Sequence, residues 1–240
     1  MLRVRGVRKL FGEVLALDGV DIGVRQGEIT AVLGPSGSGK STLLRIIAGL
    51  ELPDAGEVVL RDRVVSTPKF RLPPADRNLG FVFQNLALWP HMRAEDHIKF
   101  ALGGLGLSRR ERKARVEAVL ARVRMDHRTR AYPEQLSGGE RQRLAIGRAI
   151  ARHPDFLLMD EPFTGLDIVL REDMIRLTRD LVRERRLGVV YVTHDVLEAG
   201  RLADRVWILN RGRVAWEGRG AALAALTAGE LHQMFSRGVG

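Results

Sequence analysis

Nine residues, Gly34, Pro35, Ser36, Gly37, Ser38, Gly39, Lys40, Ser41 and Thr42, read GPSGSGKST and follow directly on the apolar run ITAVL. The spacing G-x-x-x-x-G-K-[ST], with a strand-like run before it and the helical LLRIIAGL after it, is that of a loop that cradles a polyphosphate. A group with several negative charges needs a ring of backbone N–H donors, and glycine lets the chain curl around it without side-chain clashes. The start of the following helix adds the positive end of its dipole. Lys40 would reach the β- and γ-phosphates as a point charge, and the Ser41 hydroxyl would ligate Mg2+. A Gly/Ser-rich turn in front of a helix is the bland alternative, and the order strand, loop, helix speaks against it.

Two further segments carry chemistry. FLLMDEP, residues 156–162, sets Asp160 and Glu161 at the C-terminal end of a buried strand, where open α/β sheets gather their ligands. Adjacent carboxylates there are costly unless they serve a cation or a proton transfer. Asp160 is placed to hold Mg2+ and Glu161 to polarise an attacking water. Alone, a strand ending in Asp-Glu-Pro is a common turn; beside a phosphate loop it reads as the acidic part of the same site. The other segment is Leu136-Ser137-Gly138-Gly139-Glu140, in front of the helical stretch RQRLAIGRAIA. Ser137 and Glu140 have capping-box spacing, so the segment could simply start a helix. Two glycines at the first helical positions cost up to about 1 kcal/mol each relative to Ala, and what they provide is bare backbone at a helix N-terminus, a second anion site.

The elements that must position these residues follow from the hydrophobic pattern. Continuous apolar runs at Ile29 to Leu33, Gly80 to Phe83, Phe156 to Met159 and Val189 to Val192, separated by helical patterns, predict a central parallel sheet buried on both faces. Before them, short apolar segments broken by Gly12, Gly19 and Gly27 predict antiparallel strands joined by tight turns. Ser108 and Glu111 fit a capping box, and Val116, Val119, Leu120 and Val123 then recur at helical spacing, within a mostly helical insertion from about Leu86 that reaches residue 150. A further helix is predicted from Ile168 to about Arg186, with Asp167 as N-cap and Gly188 just past its end. The fold class is α/β: a phosphate-loop, RecA-like core with an N-terminal antiparallel β subdomain, an inserted helical subdomain and a short helical tail over 219–240, all read as a single domain over 1–240.

Composition sets outer limits. The 240 residues are 45% hydrophobic, enough for a buried core, and contain no cysteine, which excludes disulfides, zinc-thiolate sites and cysteine nucleophiles. No run of about 18 apolar residues occurs and the basic N-terminus is not followed by a signal-like apolar stretch, so any membrane role is expected to be peripheral, at the inner face of the cell membrane. Thirty-nine Lys+Arg against 29 Asp+Glu give a net charge of +10, compatible with nucleic acid, an anionic membrane or a phosphate ligand, and equally with solvated arginine-rich helix faces.

With these segments in this order, the chain resembles the nucleotide-binding domain of ATP-binding cassette (ABC) proteins, in which LSGGQ or LSGGE is the family signature. The resemblance runs from Phe11 to His194. It implies that two copies close head to tail over two ATP molecules, so that Leu136 to Glu140 of one copy, Ser137 and Gly139 above all, act on the γ-phosphate held by the other. It further implies that Phe11 stacks on adenine and that Gln84, in FVFQN, contacts Mg2+ and the attacking water. His194, in YVTHD, would hydrogen-bond the γ-phosphate, and Asp167, in TGLD, would couple the two sites across the dimer. Thr164-Gly165 departs from the more usual Ser-Ala or Ser-Asn. The segment PPADRNLGFVFQNLALWPHM is similar to the corresponding stretch in ATPase subunits of carbohydrate, polyamine and ferric-iron importers, which implies separate membrane permease subunits and, for import, a substrate-binding protein as partners. Those relatives often carry an added C-terminal β-domain, and regulation through such a domain is not expected from the short tail here. A soluble ABC ATPase acting on nucleic acid or ribosomes is the alternative; the coiled coils, zinc hooks or paired cassettes usual in that class do not occur in this sequence.

Overall fold

The computed structural model of the chain describes residues 1–223 and 225–236. Strands β1 (Leu2–Phe11) and β2 (Val14–Val24) form a hairpin about Gly12. Val4 pairs with Ile22, Val7 with Val20 and Lys9 with Leu17, so one extra residue bulges first from β1 and then from β2. The second bulge accommodates Gly19, at φ +70°; it breaks the alternation inside β2 and is not the turn its position suggested.

The chain continues through β3 (Ile29–Leu33), the phosphate loop, α1 (Lys40–Ala48), β4 (Ala55–Leu60), β5 (Arg63–Thr67), β6 (Phe70–Arg71) and β7 (Leu79–Val82). The insertion follows, with α2 (Ala94–Ala101), α3 (Arg109–Arg122) and α4 (Gly138–Ile150). Its first helix begins eight residues later than Leu86, because Leu86 and Ala87 both take the left-handed conformation and residues 88–93 are irregular, with a turn at 90–91. After it come β8 (Phe156–Asp160), α5 (Ile168–Arg185), β9 (Gly188–Thr193), α6 (Val196–Leu202), β10 (Arg205–Asn210), β11 (Arg213–Arg219), α7 (Gly220–Leu223) and α8 (Ala228–Ser236). The predicted tail is thus helical over two short stretches from residue 220; residues 224 and 237–240 of it lie outside the described residues.

Two sheets result. One is antiparallel, ordered β2-β1-β4-β5-β6; the other is ordered β11-β10-β3-β9-β8-β7 and is parallel apart from β11. Side chains alternate across the second sheet. Leu157, Met159, Val189 and Tyr191 point into a layer with the helices α2 to α6, whereas Phe156, Leu158, Val190 and Val192 pack on α1 and the antiparallel sheet. Strands covered on both faces by apolar layers are continuous apolar runs, which is why β3, β7, β8 and β9 were legible.

Helix ends obey local chemistry. Ser108 Oγ accepts the Glu111 N–H at 3.3 Å while the Glu111 carboxylate accepts the Ser108 N–H at 2.9 Å, and Val116, Val119, Leu120 and Val123 are buried as expected. The Asp167 carboxylate caps α5 by accepting the Leu170 N–H at 2.9 Å. Helix α5 ends at Arg185, within a residue of the expected end, but Arg186, at φ +53°, makes the left-handed turn, and Gly188 opens β9. A Cβ at position 188 would overlap the Phe156 ring and stand 2.9 Å from the Arg25 carbonyl oxygen.

Candidate functional site

The phosphate loop leaves β3 in the middle of the parallel sheet and enters α1, with the Gly34 N–H donating to the Thr193 carbonyl at 3.3 Å. Gly39 stands at the N-terminus of α1 with φ +102°, and a Cβ there would overlap the Ala16 carbonyl oxygen and lie 2.8 Å from Leu17 Cδ2. Only glycine satisfies both conditions. No side chain caps α1 and no acidic residue occupies its first turn, so its leading N–H groups face the loop.

Lys40 is 5% exposed and folds back onto the loop, its Nζ donating to the carbonyl oxygens of Gly34 and Pro35 at 2.8 Å each. Burial pushes its ammonium below the usual lysine range, against the opposing pull of Glu161 and Asp160. The Ser41 hydroxyl donates to Asp160 Oδ1 at 2.8 Å, joining residues 119 positions apart. Burial at the end of β8 raises the Asp160 carboxyl above the usual carboxylate range; Glu161 adds to the rise, while the Ser41 hydrogen bond, Arg45 and Lys40 oppose it.

Glu161 follows at φ +46°, in the left-handed region that a residue with a side chain enters at a cost of about 1–3 kcal/mol. Glu161 Oε2 accepts the Thr164 hydroxyl at 3.2 Å and lies 3.3 Å from His194 Nδ1, just past the end of β9. Ser36, Gly37, Gly39, Lys40, Ser41, Thr42, Gln84 and Glu161 line one cavity of about 340 Å3, together with Val14 and Ala16 from β2. Asp160 reaches that cavity through Ser41, and His194 through Glu161.

The other sequence candidates lie apart from the cavity lining. Phe11 is 47% exposed at the end of β1, paired with Val14 and covered by the Lys9 ammonium 5.1 Å above its ring. Ser38 is buried with no hydrogen-bond partner for its hydroxyl, and Pro35 contributes its carbonyl to Lys40. Leu136 is buried, and Ser137 is the N-cap of α4: its Oγ accepts the Glu140 N–H at 3.2 Å while Glu140 Oε2 accepts the Ser137 N–H at 2.8 Å. These bonds, with Arg128 beside it, hold the Glu140 carboxyl down to about 2. The capping box is therefore formed, and the glycines inside it divide. A Cβ at Gly139 would overlap Leu170 of α5, whereas one at Gly138, which is exposed, would meet nothing within 4 Å. A side chain at Gly139 would thus have to displace Leu170, and one at Gly138 would displace nothing.

Three groups escaped sequence reasoning. Thr164, noted only as a departure, hydrogen-bonds Glu161. Arg77 is 4% exposed with no carboxylate partner; its guanidinium donates to the carbonyls of Ile46, Ile47, Val65 and Leu72 and to Ser66 Oγ, which braces the C-terminus of α1. Burial pushes this guanidinium down to about 10. The β10–β11 hairpin was also missed, although Arg211 and Gly212, both at positive φ between the apolar run Val206 to Leu209 and the alternating β11, form the two-residue turn that signals one.

A parallel sheet with a phosphate loop between β3 and α1, and an acidic strand end beside it, defines a phosphate-loop nucleotide-binding protein. Residues 17–164 match the family described as ABC transporter, and the chain belongs to that family. It is 48% identical over 217 residues to the sulfate/thiosulfate import ATP-binding protein CysA of Xanthomonas campestris pv. campestris, an alignment covering 89% of this chain and 62% of that protein. It is 46% identical over 215 residues to the CysA of Pseudomonas aeruginosa, covering 88% and 64%. The chain thus spans less than two thirds of the length of these curated relatives. Among solved structures, the dimeric MJ0796, a bacterial ABC transporter cassette, superposes with a TM-score of 0.80 at 34% identity, covering 91% of this chain and 98% of that one. Another is cbiO1 of Clostridium perfringens, part of the ABC transporter complex cbiONQ, with a TM-score of 0.83 at 25% identity, covering 97% and 92%.

Proposed function

We propose that the chain is the ATP-hydrolysing subunit of a membrane importer. The observation that carries the reading is the convergence of Lys40, Ser41, Gln84 and Glu161 on one cavity, with Asp160 and His194 directly behind them. Lys40 leaves the loop carbonyls for the β- and γ-phosphates of ATP, exchanging two neutral acceptors for anionic ones. The N–H groups at the start of α1 and of Gly37 and Gly39 in the loop cradle the phosphates. Phe11, exposed on the hairpin beside Val14, offers its ring to adenine.

Ser41, Gln84 and Asp160 suit a hard divalent cation: all are oxygen donors, and a buried carboxylate already bonded to the serine hydroxyl gains from a compensating charge. Mg2+ bound there would neutralise charge on the transferring phosphoryl group. Glu161 orients the attacking water and takes its proton, steadied by Thr164, and His194 hydrogen-bonds the γ-phosphate. Replacing Glu161 with Gln leaves ATP binding intact and slows hydrolysis by orders of magnitude, since the carboxylate acts on the reaction and not on the bound ground state. Hydrolysis at the unmodified rate in Glu161→Gln would remove this assignment.

The catalytic unit is a head-to-tail pair of copies, in which Ser137, Gly138 and Gly139 of one meet the γ-phosphate on the other. Two features support it: Gly138 is exposed, with nothing of its own chain within 4 Å of where a Cβ would stand, and the highly exposed Ile168, Val169 and Leu197 lie beside Asp167 and His194. MJ0796, similar over nearly its whole length, has been solved as a dimer and in a post-hydrolysis dimer bound to ADP and Pi. The Glu161→Gln protein is expected to accumulate as an ATP-bound dimer on size exclusion. The import reading rests on the CysA proteins, whose names specify sulfate/thiosulfate import. Among the described residues no helix is long and apolar enough to cross a membrane, so translocation falls to permease subunits docked near Gln84, where Trp89 and the exposed Phe100 pack with ring centroids 4.8 Å apart. The chain then works at the inner face of the membrane. Co-purification with a permease and a binding protein tests this; ATPase stimulation by nucleic acid instead would overturn it.

A further inference from the structure

The residues assigned to hydrolysis sit on separate loops. Glu161 leads the loop from β8 into α5, and His194 the loop from β9 into α6. Besides the 3.3 Å approach of Glu161 to His194 and the Glu161 N–H donating to the Val192 carbonyl at 3.2 Å, one side chain bridges these loops. Arg171 Nη1 donates to Asp195 Oδ2 at 2.9 Å, while its Nη2 reaches the Leu166 carbonyl at 3.4 Å. Asp195 adjoins His194, and Leu166 is the last residue before Asp167.

Both ends of the bridge are fixed. Asp195 Oδ1 accepts the N–H groups of Leu197 and Glu198 at 2.9 and 3.0 Å, and the Asp195 N–H donates to Thr193 Oγ1 at 3.0 Å, so this carboxylate is locked at the start of α6. Arg171 lies in the first turn of α5, its own N–H donating to the Asp167 carbonyl at 2.9 Å. Its Nε is buried without a partner, so the guanidinium makes its bonds only through its two outer nitrogens. A planar fork spanning two acceptors holds them at a set separation, which a flexible ammonium does not.

We infer that Arg171 is a positioning residue, which through Asp195 holds the His194 loop in register with the loop carrying Glu161 and Asp167. The inference rests on the ATPase reading above. Arg171 touches neither nucleotide nor water; it acts on where His194 stands, and it links the exposed start of α5 to that histidine.

The test compares steady-state ATP hydrolysis and equilibrium nucleotide binding for the unmodified chain, Arg171→Ala, Arg171→Lys, Asp195→Asn and the double variant Arg171→Ala/Asp195→Asn. Asp195→Asn keeps the Oδ1 cap of α6 and replaces the acceptor facing Arg171 by an amide NH2, which removes both the charge and the hydrogen bond, so it tests the link even where Arg171→Ala folds poorly. Loss of positioning lowers kcat about tenfold to a hundredfold with KM and nucleotide affinity unchanged within about twofold. Arg171→Lys recovers part of the loss, and the double variant is no worse than the worse single one. The inference is overturned if Asp195→Asn and Arg171→Lys both turn over at the unmodified rate, or if kcat falls only in proportion to a loss of folded protein. An unmodified chain that does not hydrolyse ATP would count against the ATPase reading itself; a working enzyme silenced by Glu161→Gln and indifferent to Arg171 and Asp195 would count against the link alone.

Discussion

Glu198 carries a charge that the fold tolerates poorly, and removing that charge has a calculable consequence. The residue is 6% exposed, one carboxylate oxygen is buried without a partner, and burial, aided by the nearby Asp195 and Glu161 and opposed by Thr193 and Arg171, raises its carboxyl from 4.5 to about 7. Below pH 4.5 it is protonated whether the chain is folded or not. As pH rises toward 7 the unfolded chain ionises first, so the folded state loses stability over that window, by about 3 kcal/mol once both forms are ionised. Between about pH 5 and about pH 8 the expected loss is about 2.5 kcal/mol. Glu198→Gln keeps the shape and cannot ionise, so this part of the pH dependence disappears. Urea unfolding of both proteins at the two pH values should give a stability difference that grows by about 2.5 kcal/mol in favour of the variant, roughly 5 °C or more in Tm for a chain of this size. Parallel stability–pH curves for the two proteins would refute the reasoning, because they would mean that Glu198 titrates alike in the folded and unfolded chain.

Other perturbations follow from the packing. Arg77→Met leaves the carbonyls of Ile47 and Leu72 without their guanidinium donor, while Ile46 and Val65 keep the N–H groups of Gly49 and Leu72; with each buried unpaired acceptor costing about 1–3 kcal/mol the variant should unfold at clearly lower urea than the unmodified chain, and Arg77→Lys recovers little, since three donors cannot replace the fork. Gly188→Ala drives a methyl into the Phe156 ring and should destabilise by about 1–3 kcal/mol in the same assay, with nucleotide affinity retained in the folded fraction. Ser137→Ala removes the α4 cap and costs about 1 kcal/mol in the monomer, beyond any effect on ATP-dependent dimerisation. Because the Glu140 carboxyl is held down to about 2, its stabilising contribution is complete above pH 4.5 and is lost as the pH falls toward 2; acid titration of Glu140→Gln, followed by circular dichroism, should lack that transition.

What the sequence by itself determined was whatever depends on neighbours along the chain. The phosphate loop is nine contiguous residues between a strand and a helix, and the caps at Ser108, Ser137 and Asp167 act over three residues, so type and spacing sufficed. Four strands buried on both faces, β3, β7, β8 and β9, were equally readable, because two apolar layers demand an uninterrupted apolar run; β10, buried the same way by Val206 to Leu209, was not read. Gln84 and His194 were different: each is an ordinary polar residue after a strand, legible only through the family pattern. Tertiary structure alone decided what joins distant segments. It paired Ser41 with Asp160 across 119 positions, turned Gly19 from a corner into a bulge, gave the left-handed turn after α5 to Arg186 and not to a glycine, and set Leu170 against Gly139 while leaving Gly138 in open space. It also gave Arg77 and Arg171, two among 39 basic residues, acceptors that no local pattern points to. Side-chain and turn preferences act over a few residues, whereas strand order and layer packing choose which remote groups meet, and at this site those meetings set the chemistry.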